Sequence, residues 1–389
     1  MRNYILSIVI PTKNRQKYCL AAIKQIISLK LENIEICIQD NSDNDLLRNE
    51  IAAIGSDDIV YNYHEGVLSF VDNFSEAVGL AHGEYMCMIG DDDGILPSIM
   101  NVVRYMKEEK IDSVIPLLGA VYYWPSDNPI VKGGETGVLT LSYTNTGCRY
   151  TDSRRALTKL LKGAVQNYTS LDMPRLYHGV VKSSCLGKIK ELCGTYFDGL
   201  TPDMYMAVAL CFVCQRTLRI DYPVTISGIC PTSGSSDSAT GKHTGELKDA
   251  PHLRGHMDYH WDDHIPAFYS VDTIWAETLM QALTKFGKND LKPLFNLPLF
   301  ELLCMEKYPQ FKDVIEKHVK KNGIPALAMI EQNIKYKIHL FTIKCDRKIH
   351  PKQKYRMAGV KNIEEACKKC IEYYKRCQCP EFCVNAKNQ

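Results

Sequence analysis

Through its first 120 residues the chain alternates runs of 4 to 8 apolar or β-branched residues with segments of helical spacing, and this alternation constrains the fold most. Such runs need cover on both faces, which is the arrangement of βαβ units around a mostly parallel sheet. Leu6 to Ile10 reads as the first buried strand, followed by helical spacing with Cys19, Ile23, Ile26 and Ile27 on one side. Ile34, Ile36 and Ile38 alternate with polar neighbours as a second strand, Ile59 to Tyr63 makes a third, and Phe70 to Ala81 returns to helix. A fourth strand, Tyr85 to Ile89, runs straight into Gly90, Asp91, Asp92, Asp93 and Gly94. Pro97 and Ser98 open a helix through Met106, before a fifth strand from Ser113 to Leu118.

Farther along, the pattern loosens over residues 120–200, with one clear helix from Ser153 to Leu161. Met204 to Cys214 reads as a buried helix, Ile220 to Ile226 as a strand and Ser227 to Glu246 as a long polar loop, after which helical patterns predominate. A composition of 45% hydrophobic and 24% charged residues excludes disorder and coiled coil. No window approaches the roughly 18 consecutive apolar residues of a membrane helix, and the run Ile5 to Ile10 lacks a signal-peptide cleavage site, so a cytoplasmic address is expected. The 16 cysteines are then expected as reduced thiols packed in apolar stretches. Residues 301–389 hold 19 Lys and Arg against 10 Asp and Glu, a net +9 that leaves the first 300 residues at −7.

In an open parallel sheet, ligands bind outside the carboxyl ends of the strands. Here those ends carry Pro11, Thr12, Lys13, Asn14 and Arg15, then Asp40 to Asp43, then Asp91 to Asp93. Three adjacent carboxylates repel one another unless a positive charge sits among them, and hard oxygen ligands suit Mg²⁺ or Mn²⁺ shared with substrate phosphates. There is no Walker lysine loop and no GxGxxG after the first strand.

These motifs together, with Ser7 to Arg15, Asp40-Asn41-Ser42, Asn73, Ala77, Ala81 to Tyr85 and Gly90 to Pro97 in order, resemble a family 2 glycosyltransferase of the GT-A fold. The resemblance covers about the first 120 residues and implies inverting transfer from a nucleotide-activated sugar, usually a UDP or dTDP sugar, to an acceptor hydroxyl. It also implies that Pro11, Thr12, Asn14 and Arg15 face the nucleotide, that Asp40 holds the base and Asp91 the ribose, and that Asp92 or Asp93 ligates Mn²⁺ or Mg²⁺. An α/β fold is therefore expected, with a GT-A domain over residues 1–235 and a loop plus helical, basic, Cys-rich region over 236–389. Within the first, residues 1–120 form the nucleotide-sugar half and 121–235 the acceptor half. The implied partners are a nucleotide-sugar donor and a glycan or lipid-linked acceptor in polysaccharide biosynthesis. A non-catalytic sugar-nucleotide or glycan-binding protein on the same fold, or a nucleotidyltransferase, stays open.

Inverting transfer needs a base for the acceptor hydroxyl, best supplied by a carboxylate at a helix start. Asp203, just after Pro202, fits, with Asp198 as runner-up; a capping role is the competing reading of Asp203. His178, Lys242 and His243 are candidate acceptor or diphosphate contacts, the last two in a loop expected to act as a lid. His252, His256, His260 and His264 recur every fourth residue, but Pro251 and Gly255 interrupt any regular helix, so a locally bonded set is favoured over a metal site. Cys367, Cys370, Cys377, Cys379 and Cys383 match no standard zinc spacing and are expected as packing or free thiols. No nucleic-acid motif accompanies the basic tail, for which peripheral attachment to the inner membrane is expected over a plain solvated face.

Overall fold

The structure, a computed structural model, describes residues 3–127, 136–144, 147–233, 243–253, 259–349 and 353–376. Strands β1 (Leu6–Thr12), β2 (Ile34–Asp40), β3 (Ile59–Tyr63) and β4 (Tyr85–Met88) alternate with helices α1 (Gln16–Ser28), α2 (Leu46–Ile54) and α3 (Phe70–Gly79). β1, buried along its whole length, pairs in parallel with β2 on one side and β4 on the other, and β3 extends the sheet beyond β2. The chain thus winds in opposite directions from β1, which makes the gap between β1 and β4 the switch point where such sheets hold ligands. Register brings the strand ends together: Thr12 faces Asp40, and Val9 faces Met88, so three residues further on Thr12 comes level with Asp91. α1 buries Cys19, Ile23 and Ile26 as its spacing predicts, while Ile27 turns outward. Ser69 caps α3 by accepting from the Asp72 amide at 3.2 Å.

Next come β5 (Gly94–Ile95), α4 (Ser98–Glu108), β6 (Ser113–Ile115), β7 (Ala120–Tyr123), β8 (Val138–Ser142), β9 (Cys148–Thr151), α5 (Ser153–Lys162), β10 (Val180–Lys182), α6 (Ser183–Cys193) and α7 (Pro202–Val213). β6 stops at Ile115 instead of Leu118, because Pro116 has no N–H for a ladder. The single strand expected from Ile220 to Ile226 is instead two, β11 (Thr217–Ile220) and β12 (Thr225–Ile229), separated at a turn containing Pro223. β11 joins the main sheet, of order β3-β2-β1-β4-β10-β6-β11-β9, where β10 runs antiparallel to both neighbours. β12 enters a second sheet, which the periodicity did not announce.

That second sheet is completed from the far end of the chain. After β13 (Thr244–Gly245) pairs with β14 (Tyr269–Ser270), α8 (Val271–Lys285), α9 (Leu297–Lys307), α10 (Lys312–Lys321) and α11 (Ala326–Ile349) follow. β15 (Lys354–Met357) then adds to the edge of β8, giving the order β15-β8-β7-β12-β5. α12 (Ile363–Arg376) packs Ile363, Ala366, Cys367, Cys370 and Tyr374 into one core with Tyr18, Leu96, Tyr122 and Trp124. The helical C-terminal region expected beyond residue 235 is present, and its last elements, β15 and α12, pack onto β8 and into the core around Tyr122 and Trp124. Apolar faces on β7, β8 and α1 need a cover, and the chain's own end supplies it. Cys367 and Cys370 are buried packing residues, whereas Cys377, Cys379 and Cys383 lie outside the described residues. No described helix is long and apolar enough to cross a membrane.

Candidate functional site

At the switch point, Thr12 Oγ1 donates to Asp91 Oδ2 at 2.6 Å. Arg15 grips the same carboxylate with two nitrogens, Nε to Oδ2 at 3.0 Å and Nη2 to Oδ1 at 2.8 Å. Its Nη1 lies 4.0 Å from Asp92 Oδ1. Arg15 is thus the internal cation among the carboxylates, a role its position after β1 did not disclose. Burial works against its charge, yet Asp91 and Asp92 raise its pKa and keep it protonated. Burial likewise pushes the Asp91 carboxyl up, with Arg15 opposing.

Asp92 and Asp93 are held from the second sheet. β12 runs antiparallel to β5, the strand that follows the carboxylates, and delivers two backbone donors. The Gly228 amide donates to Asp93 Oδ1 at 2.6 Å and the Cys230 amide to Asp92 Oδ2 at 2.9 Å. Trp124 Nε1 adds a bond to the Asp92 carbonyl at 2.9 Å. Asp93 Oδ2 further accepts from the Gly90 amide at 2.6 Å and from the Tyr177 hydroxyl at 3.0 Å, with His178 Nε2 at 3.4 Å. Both oxygens of Asp93 are therefore taken by the protein itself. Burial pushes its carboxyl well up, and the neighbouring Asp92 pushes in the same direction.

This bears on which carboxylate could hold a metal ion. Among the described residues, no group of three His, Cys, Asp or Glu side chains converges as a metal cage. Asp93 is the more enclosed of the two expected ligands, its Oδ2 accepting two bonds and its Oδ1 one, which leaves Oδ1 a single further lone pair. Asp92 fits, because its Oδ1 faces only the distant Arg15 Nη1 among the described donors. One carboxylate oxygen suffices for an ion that takes its remaining ligands from phosphates and water.

Asp40, at the end of β2, is fully buried; its Oδ1 accepts from the Ser42 amide at 2.9 Å and its Oδ2 from the Tyr61 hydroxyl at 3.0 Å. Asn14 adopts φ of 56° and clips the loop after β1 to the loop after β2. Its amide donates to Ser42 Oγ at 2.8 Å, its Nδ2 to Asp43 Oδ2 at 3.0 Å, and its Oδ1 accepts from the Asp43 amide at 2.9 Å. Pro11 sits in β1 opposite Gln39. The structure thus brings Thr12, Arg15, Asp91, Asp92, Asp93 and His178 into one bonded cluster, flanked by Asn14 and Asp40.

His178 is buried with φ of 57°, its backbone tied to β4 by donation to the Met88 carbonyl at 2.9 Å. Nδ1 lies 2.9 Å from Thr225 Oγ1. Burial, helped by Arg175, drives its pKa down to about 3, so the ring is a neutral brace for Asp93. The His243 ring lies 5.9 Å from that of His252 and 6.1 Å from that of Tyr269. Lys242 lies outside the described residues, as do His256 and residues 234–242 of the expected lid. His252 stacks on Phe70 at 4.7 Å and His264 pairs with Asp262, so these two members of the four-residue histidine series are locally bonded.

Asp203 opens α7, whose first residue is Pro202. The Tyr168 hydroxyl donates to its Oδ2 at 2.7 Å. Burial raises the Asp203 pKa, while that hydroxyl and the backbone amides of Met204 and Asp203 restrain the rise. α8 braces this end: Thr278 Oγ1 accepts from the Leu200 and Thr201 amides, both at 3.1 Å, and Trp275 packs edge-on against Tyr168. Among the described residues no hydrogen bond joins Asp203 to the Asp91–Asp93 cluster. The runner-up, Asp198, is bound to Lys285 Nζ at 2.9 Å and to the Gly199 amide at 2.7 Å. Tyr168, Tyr177, Trp124, Gly228 and Cys230 escaped the sequence reading. The two backbone donors have no side-chain signature at all.

Residues 7–147 match the family model described as Glycosyl transferase family 2. Of curated proteins, one named as the colanic acid biosynthesis glycosyl transferase WcaA of Escherichia coli K12 is 27% identical over 136 residues, 33% of this chain and 49% of that protein. The GalNAc(5)-diNAcBac-PP-undecaprenol beta-1,3-glucosyltransferase of Campylobacter jejuni is 28% identical over 110 residues, 27% of this chain and 35% of that protein. Abequosyltransferase RfbV of Salmonella typhimurium is 28% identical over 113 residues, 28% of this chain and 34% of that protein. The chain thus spans half or less of the length of each of these relatives. Among solved structures, S. aureus TarS 1–349 in complex with UDP-GlcNAc aligns with TM-score 0.45 and 11% identity, covering 82% of this chain and 92% of that one.

Proposed function

Residues 7–147 being a family 2 glycosyltransferase domain, we propose that the chain transfers a sugar, with inversion, from a nucleotide-sugar donor of the UDP-sugar kind to a hydroxyl of a glycan or lipid-linked acceptor. The observation that carries this is the convergence of Thr12, Arg15, Asp91 and Asp92 at the switch point, where an open α/β sheet binds nucleotides. The acceptor class is proposed from the Campylobacter relative, whose name specifies a PP-undecaprenol-linked glycan. Polysaccharide assembly at the cytoplasmic face of an inner membrane is the corresponding setting.

In this reading Asp40 receives the base and the Thr12 to Arg15 segment and Asp91 receive the ribose side of the donor. Asp203 takes the acceptor's proton as its oxygen attacks the anomeric carbon, and the nucleoside diphosphate departs from the opposite face. Asp92 would hold Mn²⁺ or Mg²⁺ through its free oxygen, and the bound ion would neutralise charge on the departing diphosphate. The remaining work belongs to the chain: Gly228, Cys230 and Trp124 fix the carboxylates before any ligand arrives.

A panel of nucleotide sugars with Mn²⁺ and a glycan-lipid acceptor tests the reading. Release of nucleoside diphosphate is expected. Release of pyrophosphate would instead identify a nucleotidyltransferase, and binding without turnover a sugar-nucleotide-binding protein. Calorimetry of nucleoside diphosphate should show tighter binding with Mn²⁺ than with EDTA, and Asp92→Asn should erase that difference. A difference that survives in the variant would remove Asp92 as the metal ligand.

Tyr168→Phe separates a base from a capping residue at position 203. The Tyr168 hydroxyl lowers the Asp203 pKa, so its loss lets burial raise that pKa further. Because a base must be ionised, the acid limb of kcat/KM is expected to move to higher pH, with the rate above it largely retained. An unmoved acid limb would leave Asp203 with a capping role only.

A further inference from the structure

We propose that one face of α11 lies on an anionic lipid surface and holds the protein at the membrane that carries its acceptor. Its purpose rests on the lipid-linked reading above. None of the residues of α11 is buried, although it is 24 residues long. Leu327, Ile330, Ile334, Ile338, Phe341 and Ile349 are each more than half exposed. At about 100° per residue these six fall within an arc of roughly 100°, an apolar stripe some 33 Å long with Glu331 on one border and Lys348 on the other. Among the described residues no side chain buries them. The helix is already seated by its opposite side, where Gln332 accepts from Asn296 Nδ2 at 3.0 Å and Tyr336 packs on the main core.

Charge and period choose the occupant. Between residues 326 and 349 there are five Lys and Arg against Glu331 and Asp346, and Lys337, Lys344 and Lys348 run along one border of the stripe. A basic, amphipathic helix with an unpartnered apolar face fits an interface of acyl chains and anionic headgroups. The apolar positions repeat at 11 residues, as in Leu327, Ile338 and Ile349 or Ile330 and Phe341, whereas the seven-residue series Leu327, Ile334 and Phe341 runs into Lys348. A seven-residue seam begun at Leu327 and Ile330 would put Lys337 and Lys344 inside a coiled coil, facing like charges on a second copy. A stripe near 3.6 residues per turn stays on one side of a straight helix, as a flat surface requires.

Sedimentation of the full chain with phosphatidylglycerol-containing vesicles, against phosphatidylcholine alone, tests this at low and high salt. Binding is expected to the anionic vesicles and to weaken with salt. The double variant Ile334→Asp, Ile338→Asp should weaken it by at least about tenfold, and Lys337→Glu with Lys344→Glu by a similar factor. Both pairs are exposed, and circular dichroism should show an unchanged fold. Binding of nucleoside diphosphate should be unchanged as well, which separates this inference from the catalytic one: a chain that binds vesicles but turns over no nucleotide sugar upholds the surface and sinks the function. Equal recovery with neutral and anionic vesicles, or undiminished binding by both variants, overturns the proposal. So does light scattering that shows a dimer dissociated by the Ile334 and Ile338 changes, since a second copy would then cover the stripe.

Discussion

Asp203→Asn is expected to lower the transfer rate by about 10²–10⁴, the range for losing a general base, while nucleoside diphosphate binds as before. The substitution keeps the size of the side chain and an oxygen that can accept from Tyr168, so α7 and its brace on α8 should persist. What disappears is the proton acceptor. The measurement is single-turnover transfer alongside calorimetry of the nucleotide. A rate within a few-fold of the parent would take Asp203 out of the chemistry. Asp198 would be a poor replacement, being paired with Lys285 on one oxygen and with the Gly199 amide on the other.

The second large effect is structural. A Cβ at position 228 would lie 1.7 Å from the Asp92 carbonyl oxygen, 2.5 Å from its carbon and 3.1 Å from Trp124 Nε1. None of these is the loose end of a flexible side chain. Gly228→Ala must push β12 off the carboxylate loop, breaking the Gly228–Asp93 bond and straining the Trp124–Asp92 bond. Overpacking and the loss of a buried, charge-assisted bond together suggest a cost of about 3 kcal/mol or more. Thermal denaturation should show it as a drop of several degrees, with nucleotide binding lost in whatever folds. Gly187→Ala is the control: it lies inside α6 with nothing within 4 Å of the added Cβ, so it should be neutral or stabilise by about 0.5–1 kcal/mol. If both alanines behave alike, the close approach at position 228 does not hold the loop.

The asymmetry between these glycines shows where sequence reading reaches its limit. Nothing local distinguishes Gly228 from Gly187; one meets a carbonyl contributed by a residue 136 positions earlier, the other meets solvent. The same holds for Arg15. Its place after β1 announces a strand-end residue, but that it neutralises Asp91 follows from the pairing of β1 with β4, which brings positions 76 residues apart within 2.8 Å. Asp92 and Asp93 look equivalent in sequence, and only the fold shows that backbone donors from residues 90 and 228 enclose Asp93 more fully.

The first four strands and the helices α1 and α3, the carboxylates at the strand ends and the helix start at Pro202 and Asp203 were determined by the sequence itself, whereas α2 was not announced. Each depends on periodicity within one segment, on proline's missing N–H, or on polar residues stopping an apolar run. Tertiary structure alone decided that residues 217–229 divide between two sheets, that β15 and α12 return to cover α1 and β7, that α8 braces Asp203, and that α11 leaves an apolar face bare. These depend on which distant surfaces meet. A segment's own pattern says that it has an apolar face, but the partner for that face is chosen by the shape and register of the rest of the chain.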